Sequence, residues 1–182
     1  MKRLAAFLLA FLVLFAVHEG MHALIAMLYG EYDAFHIRPI GFEVTFRTAP
    51  DERSGIQWAF ISGASNIVTL LMGYLLLMLA KRLARLRSVF LRASLFYLTV
   101  LALLSDPFNL SVGPFIYGGD VNGIAVGLDI NRYVIQAIFL VVLLVNRELI
   151  SQKLFPIYAV QVEHILFRPL LRRSNRTQGV GR

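Results

Sequence analysis

The chain has no cysteine among its 182 residues. Neither a disulfide framework nor a thiolate metal site can form, and cysteine usage carries no signal of redox compartment. Charge is the second shortage: Asp, Glu, Lys and Arg together make up 16%, against about 25% in soluble domains. A soluble surface needs more polar side chains than this chain holds. Disordered and fibrous classes need polar or repetitive composition, and no internal repeat is present. Instead 58% of the residues are hydrophobic and mean hydropathy is +0.67. Those values leave an integral membrane protein, of a length suited to one domain.

Acidic residues are scarcer than basic ones, 11 against 18, for a net charge of +7. The bases sit at the edges of apolar runs rather than in a polar, aromatic-interleaved groove. Lys2 and Arg3 precede the first run; Lys81, Arg82, Arg85, Arg87 and Arg92 lie between two others. Arg147, Lys153, Arg168, Arg172, Arg173, Arg176 and Arg182 follow the last. Flanking bases of this kind set membrane topology and can touch anionic headgroups, so nucleic acid is not an expected partner.

Four apolar runs are predicted to span the bilayer: residues 4–29, 56–80, 89–104 and 133–145. The first alone gives roughly 39 Å of helix, enough to cross with tilt. Its start imitates a secretory signal peptide, but no small-x-small site follows and the run continues to Leu28, so cleavage is not expected. Ser105-Asp106-Pro107 is predicted to stop the third run. The fourth is short and leaves open a start within 124–128. Between the first two runs, residues 42–46 alternate apolar and polar after a break at Pro39 to Gly41, which predicts a strand or hairpin. Residues 105–123 carry the loop signals Gly113-Pro114 and Gly118-Gly119-Asp120. The expected fold is therefore an all-α integral membrane protein with about four transmembrane helices and a short membrane-associated β-hairpin after the first. Residues 1–150 would form its core. Residues 151–182 would be a basic tail, with a membrane-surface helix over 155–171 or partial order there, and disorder over 174–182. Spans one to three are expected to pack through small residues such as Gly63, Ala64, Ser65 and Gly73.

The loop at 30–55 holds five acids against three bases, whereas 81–92 holds five bases and no acid. Positive-inside logic then places both termini and the 81–92 loop in the cytoplasm, and the hairpin and Asp120 loop outside. The expected setting is a multi-pass protein in the cytoplasmic membrane of a prokaryote.

Within the first run stands His18-Glu19-Gly20-Met21-His22. A spacing of four residues turns a helix by about 400°, so both imidazoles share one face. One divalent ion can take a nitrogen from each, and Glu19 can act as general base toward a water at that ion. A lone buried histidine is most often a hydrogen-bonded core residue. Here three adjacent ionisable groups lie in an apolar helix with no solvated face, which is costly without a partner such as Zn²⁺. A catalytic zinc usually has three protein ligands. Asp120, after two glycines that allow close backbone approach, is the favoured third; Asp106, Asp129 and His36 compete, and His164 is expected on the opposite side. Asp120 could instead cap a helix beginning at Val121.

These residues, with the hairpin, the Gly/Asn segment and the Gly-Asp loop before the last span, resemble the site-2 protease family of intramembrane zinc metalloproteases, in particular its short M50B-like members. The resemblance covers about residues 4–145. It implies His18 and His22 as zinc ligands, Glu19 as the catalytic glutamate and Asp120 as the third ligand. It also implies a hairpin at Ile40-Gly41-Phe42 that engages substrate as an added strand. Ser62-Gly63-Ala64-Ser65-Asn66 is similar to the family's Gly-Pro-x-x-Asn segment, which makes Asn66 a substrate- or oxyanion-positioning residue. Three features depart from the family pattern. Met21 stands where glycine is usual before the second histidine. The Asn66 segment lacks proline and is one residue shorter. Leu-Asp-Gly is absent, with Leu128-Asp129 a partial look-alike. Family members commonly hold zinc nearer the cytoplasmic face, opposite to the charge count here. The implied activity is zinc-dependent endopeptidase cleavage of transmembrane protein substrates within the bilayer. The alternative is a zinc-containing membrane binding or regulatory protein without proteolytic activity, and metal transport is a weaker third.

Overall fold

A computed structural model describes residues 2–38, 41–117, 119–162 and 164–170. Pro39 and Ile40 of the expected turn, Gly118 of the glycine pair and the segment 174–182 expected to be disordered lie outside them. The long helices are α1 (Lys2–Leu28), α2 (Gln57–Leu83), α3 (Val89–Ser111) and α5 (Arg132–Leu149). A short α4 (Val121–Leu128) precedes α5, which runs on through a π-helical turn (Ile150–Leu154) into α6 (Phe155–Ile157). Four helical stretches are long and apolar enough to cross a membrane: Lys2–Leu28, Gln57–Leu83, Val89–Ser111 and Arg132–Ile157. Strands β1 (Tyr32–Arg38) and β2 (Gly41–Phe46) form an antiparallel hairpin directly after α1, pairing Phe35 with Val44 and His36 with Glu43.

The buried face of α1 follows a row at spacing four, Ala6, Ala10, Leu14, His18, His22 and Ala26, with Ala23 beside it. A step of four keeps side chains stacked on one side of a helix. The row turns the two histidines into the bundle, while Leu8, Leu12, Leu24 and Met27 point outward. Helix α3 is central, packing against α1, α2 and α5, and α4 lies along α2. Small residues set both close approaches. A Cβ at Gly73 would stand 3.1 Å from the Ala102 backbone of α3. Two glycines four apart, Gly123 and Gly127, let α4 sit directly on α2, since a Cβ there would collide with Ser62 and with the backbone of Ala59.

Two expected boundaries are corrected. Helix α3 does not stop at Ser105-Asp106-Pro107 but continues to Ser111 with Pro107 inside it. Proline at 107 removes the N–H that would bond to the Leu103 carbonyl. The amide of Asn146 on α5 donates to that carbonyl instead, at 2.8 Å, and is itself held by Tyr74 Oη at 2.7 Å. A foreign donor thus repairs the ladder, as membrane helices require, and Asp106 and Asn109 are carried on a continuous helix. The last span likewise does not end at Val145. It begins at the Asn131 cap, whose side chain accepts from the Tyr133 amide at 2.9 Å, and it passes through Asn146 and Arg147. Residues 124–128 belong to the separate α4, which ends at Asp129 in left-handed conformation (φ 52°). Finally, no continuous helix covers 155–171. Ala159 breaks it at φ 51°, and a 3-10 turn at Ile165–Phe167 follows, its Leu166 carbonyl accepting from Arg147 at 2.6 Å.

Candidate metal centre

Four elements bring polar side chains to one point. From α1 come the two imidazoles, with Nε2 of His18 and Nε2 of His22 only 3.1 Å apart. The opposite nitrogen of each ring is engaged. His22 Nδ1 lies 2.7 Å from the Ile61 carbonyl of α2, and His18 Nδ1 lies 3.0 Å from Asp106 Oδ1 of α3. A carbonyl and a carboxylate only accept, so each Nδ1 donates, and in the neutral ring it is Nε2 that carries the lone pair. Asp106 is buried, and its second oxygen accepts from the Thr69 hydroxyl of α2.

Asp120, at the start of α4, meets these lone pairs with both oxygens. Oδ2 is 3.4 Å from His18 Nε2 and Oδ1 is 3.4 Å from His22 Nε2. Two amides fix the carboxylate: Asn66 Nδ2 and Asn109 Nδ2 each donate to Oδ2 at 2.9 Å. Asp120 occupies the N-cap position of α4, yet its side chain makes no capping hydrogen bond, so the cap reading is not realised. Burial pushes its carboxyl up, but the facing His22 and His18 rings, when protonated, outweigh this and hold it well below the usual carboxylate range.

Among the described residues, His18, His22 and Asp120 are the group whose ligand atoms converge, all within 4.8 Å of one another. Ligands of a tetrahedral zinc with bonds of about 2.0–2.1 Å stand roughly 3.3 Å apart. The spacing of 3.1 Å between the two nitrogens, and of 3.4 Å from each nitrogen to a different oxygen of Asp120, are close to that edge length. Two imidazole lone pairs facing each other beside a carboxylate repel unless a proton or a cation sits among them, and the Ser65 hydroxyl, 2.9 Å from His22 Nε2, can donate to one of them. The donor set, with each Nδ1–H tied to an oxygen, is the outer-sphere pattern that orients metal-ligating histidine. These three residues could hold a divalent ion.

A cavity of about 1200 Å³ opens onto the group, lined by His18, Glu19, His22, Asp106, Asn109 and Tyr117 from the helical side and by Phe42, Val44 and Phe46 of β2. Glu19 is half-buried beside the imidazoles, within reach of the Val44 backbone amide. Tyr117 donates to Asn109 Oδ1 at 3.2 Å; burial, then the nearby carboxylates of Asp120 and Asp106, push its phenol up.

Other sequence-predicted residues fall elsewhere. Asn66 is fully buried on Asp120 and does not line the cavity. Asp106 contacts the back of the His18 ring rather than the convergence point. Exposed Asp129 ends α4, His36 lies on β1 near Thr45 Oγ1 at 3.4 Å, and His164 caps the 3-10 turn at Ile165–Phe167. Sequence reasoning missed Asn109, Thr69 and Tyr117, the use of Ser65 at the site, and Asp106 as an orienting group. One signal was present: Ser62, Ser65, Asn66 and Thr69 form a polar stripe at helical spacing in an apolar span, which marks an inward functional face. No protein-family model, curated protein or solved structure matches this chain.

Proposed function

We propose that the chain is a zinc-dependent intramembrane endopeptidase that cleaves transmembrane protein substrates. One observation carries the reading: two imidazole lone pairs, each fixed by an Nδ1–H bond, converge with a doubly anchored carboxylate beside Glu19 on an open cavity. Zinc bound there would polarise a scissile carbonyl and acidify water. The chain supplies the rest. His18, His22 and Asp120 form the holding set, and Asp106, Asn66 and Asn109 keep those three side chains in place. Glu19 accepts a proton from the attacking water and passes it to the leaving amide nitrogen. Strand β2 lines the cavity beside Glu19, where an extended segment could lie along it. Substrate helices must unwind to enter, because an intact helix keeps its carbonyls bonded.

The reading is tested with the full chain in vesicles and a panel of single-span proteins. Cleavage should disappear with a strong chelator and return with added Zn²⁺. Cleavage indifferent to the chelator contradicts a metal mechanism, and full zinc occupancy with no cleavage of any substrate favours the non-proteolytic alternative, to which the altered Asn66 and Asp120 segments point. The orienting role of Asp106 gives a separate expectation. Asp106→Ala should weaken zinc affinity about 10–100-fold. Asp106→Asn keeps an acceptor for His18 Nδ1–H and should stay within a few-fold of wild type. Competition against a chromophoric chelator reads both, and equal affinity for wild type and Asp106→Ala would remove Asp106 from the account.

A further inference from the structure

A second cavity, of about 430 Å³, lies at the far end of the bundle. It is fifteen residues back along α1 from His18, roughly 22 Å. Its walls are Arg3 at the start of α1, Val89, Arg92, Ala93, Phe96 and Tyr97 on the first turns of α3, and residues 158–161 beyond α6. Three features distinguish it. Among the described residues neither Arg3 nor Arg92 has a carboxylate partner, and the Arg92 guanidinium donates only to the Leu86 carbonyl at 3.5 Å. Tyr158, which lines the cavity, has a buried Oη with no hydrogen-bond partner among the described residues. Buried polar atoms are almost always paired, and this hydroxyl is a donor left over at the cavity wall. Phe96 and Tyr97, one turn further along α3 than Arg92, add apolar side chains to the wall.

Two guanidinium groups without carboxylate partners, lining one cavity with an unpaired hydroxyl, suit an anion with several acceptor oxygens. Guanidinium groups meet phosphate oxygens in a fixed fork, and tyrosine can donate one further bond. The apolar part of the wall suits the glycerol and first methylenes of a lipid, and basic pockets between membrane helices bind such headgroups. We propose that this cavity binds a phosphate group, presented by an anionic phospholipid. The site would tie the start of α1 to α3 and to the segment after α6. It is independent of the metal centre and does not rest on protease activity.

The test uses the purified full chain in a zwitterionic detergent, with thermal unfolding followed on addition of dioctanoyl phosphatidylglycerol, dioctanoyl phosphatidylcholine or inorganic phosphate. Phosphatidylglycerol should raise Tm saturably, and phosphatidylcholine should not. The double variant Arg3→Gln/Arg92→Gln should weaken the apparent affinity about tenfold or more, and Tyr158→Phe by about threefold. Lys81→Gln/Arg82→Gln removes two exposed charges outside the cavity at the same end of the bundle and should leave the affinity unchanged. Arg92→Lys keeps the charge and should fall between wild type and the double variant, which guards against loss of folding. Inorganic phosphate giving the same saturable shift, with the same variant dependence, would replace the lipid by a free anion. Equal effects of the two double variants, or equal responses to the two lipids, would overturn the proposal.

Discussion

Replacing Glu19 by glutamine is expected to lower cleavage of a transmembrane substrate by about 10²–10⁴-fold, the range lost with a positioned general base, while zinc content stays at the wild-type level. The two readouts separate because Glu19 lies outside the converging set: the ligand atoms come from His18, His22 and Asp120. Glutamine keeps the size of the side chain and can still receive a hydrogen bond from the Val44 amide through its carbonyl oxygen, but it cannot take a proton from water. Unchanged turnover with glutamine at position 19 would end the protease reading and leave the metal-holding geometry standing. Loss of both activity and zinc would make Glu19 a ligand rather than a base.

Removing the Asp120 carboxylate should have a second large effect, a fall in zinc affinity of more than about 100-fold, beyond that of an outer-sphere change. Three consequences of Asp120→Ala add together. One of three protein donors is lost, the negative charge facing the imidazoles goes with it, and the amides of Asn66 and Asn109 lose the Oδ2 acceptor they share. Asn66 retains the Ser62 carbonyl at 2.9 Å, so the fold around α2 should survive. Asp129→Ala, at the exposed end of α4, serves as control and should leave zinc binding unchanged. Metal analysis of both purified variants decides the matter: unaltered stoichiometry and affinity in Asp120→Ala would reject Asp120 as third ligand.

Elements that depend on nearby residues were legible in the sequence. Long apolar runs located the spanning helices, alternation after Pro39 located β2, and the spacing of His18 and His22 put two imidazoles on one face. The row of small residues at spacing four explains why that face turns inward, since Ala6, Ala10 and Ala26 continue it. What escaped depends on partners distant along the chain. Proline at 107 reads locally as a stop, and only Asn146, from another helix, supplies the missing donor to Leu103. Once α3 continues, Asp106 and Asn109 fall three residues apart on its inner side, and neither role could be read without that correction. Asn66 resembled a substrate-facing residue, but the close approach of α4 at Gly123 and Gly127 brings Asp120 down onto its amide. The tail eluded local pattern because the Arg147 guanidinium, bonded to the carbonyls of Leu166 and Arg168, organises it from the preceding helix.

X-ray absorption at the zinc edge, on the full chain purified with one equivalent of Zn²⁺, addresses the metal centre itself. Nitrogen and oxygen neighbours at about 2.0–2.1 Å are expected, with the outer-shell signature of two imidazoles, and His22→Ala should lose one of them. A wild-type chain that fails to retain zinc, or an identical spectrum from the His18→Ala/His22→Ala double variant, would contradict a cation held between these two rings and Asp120.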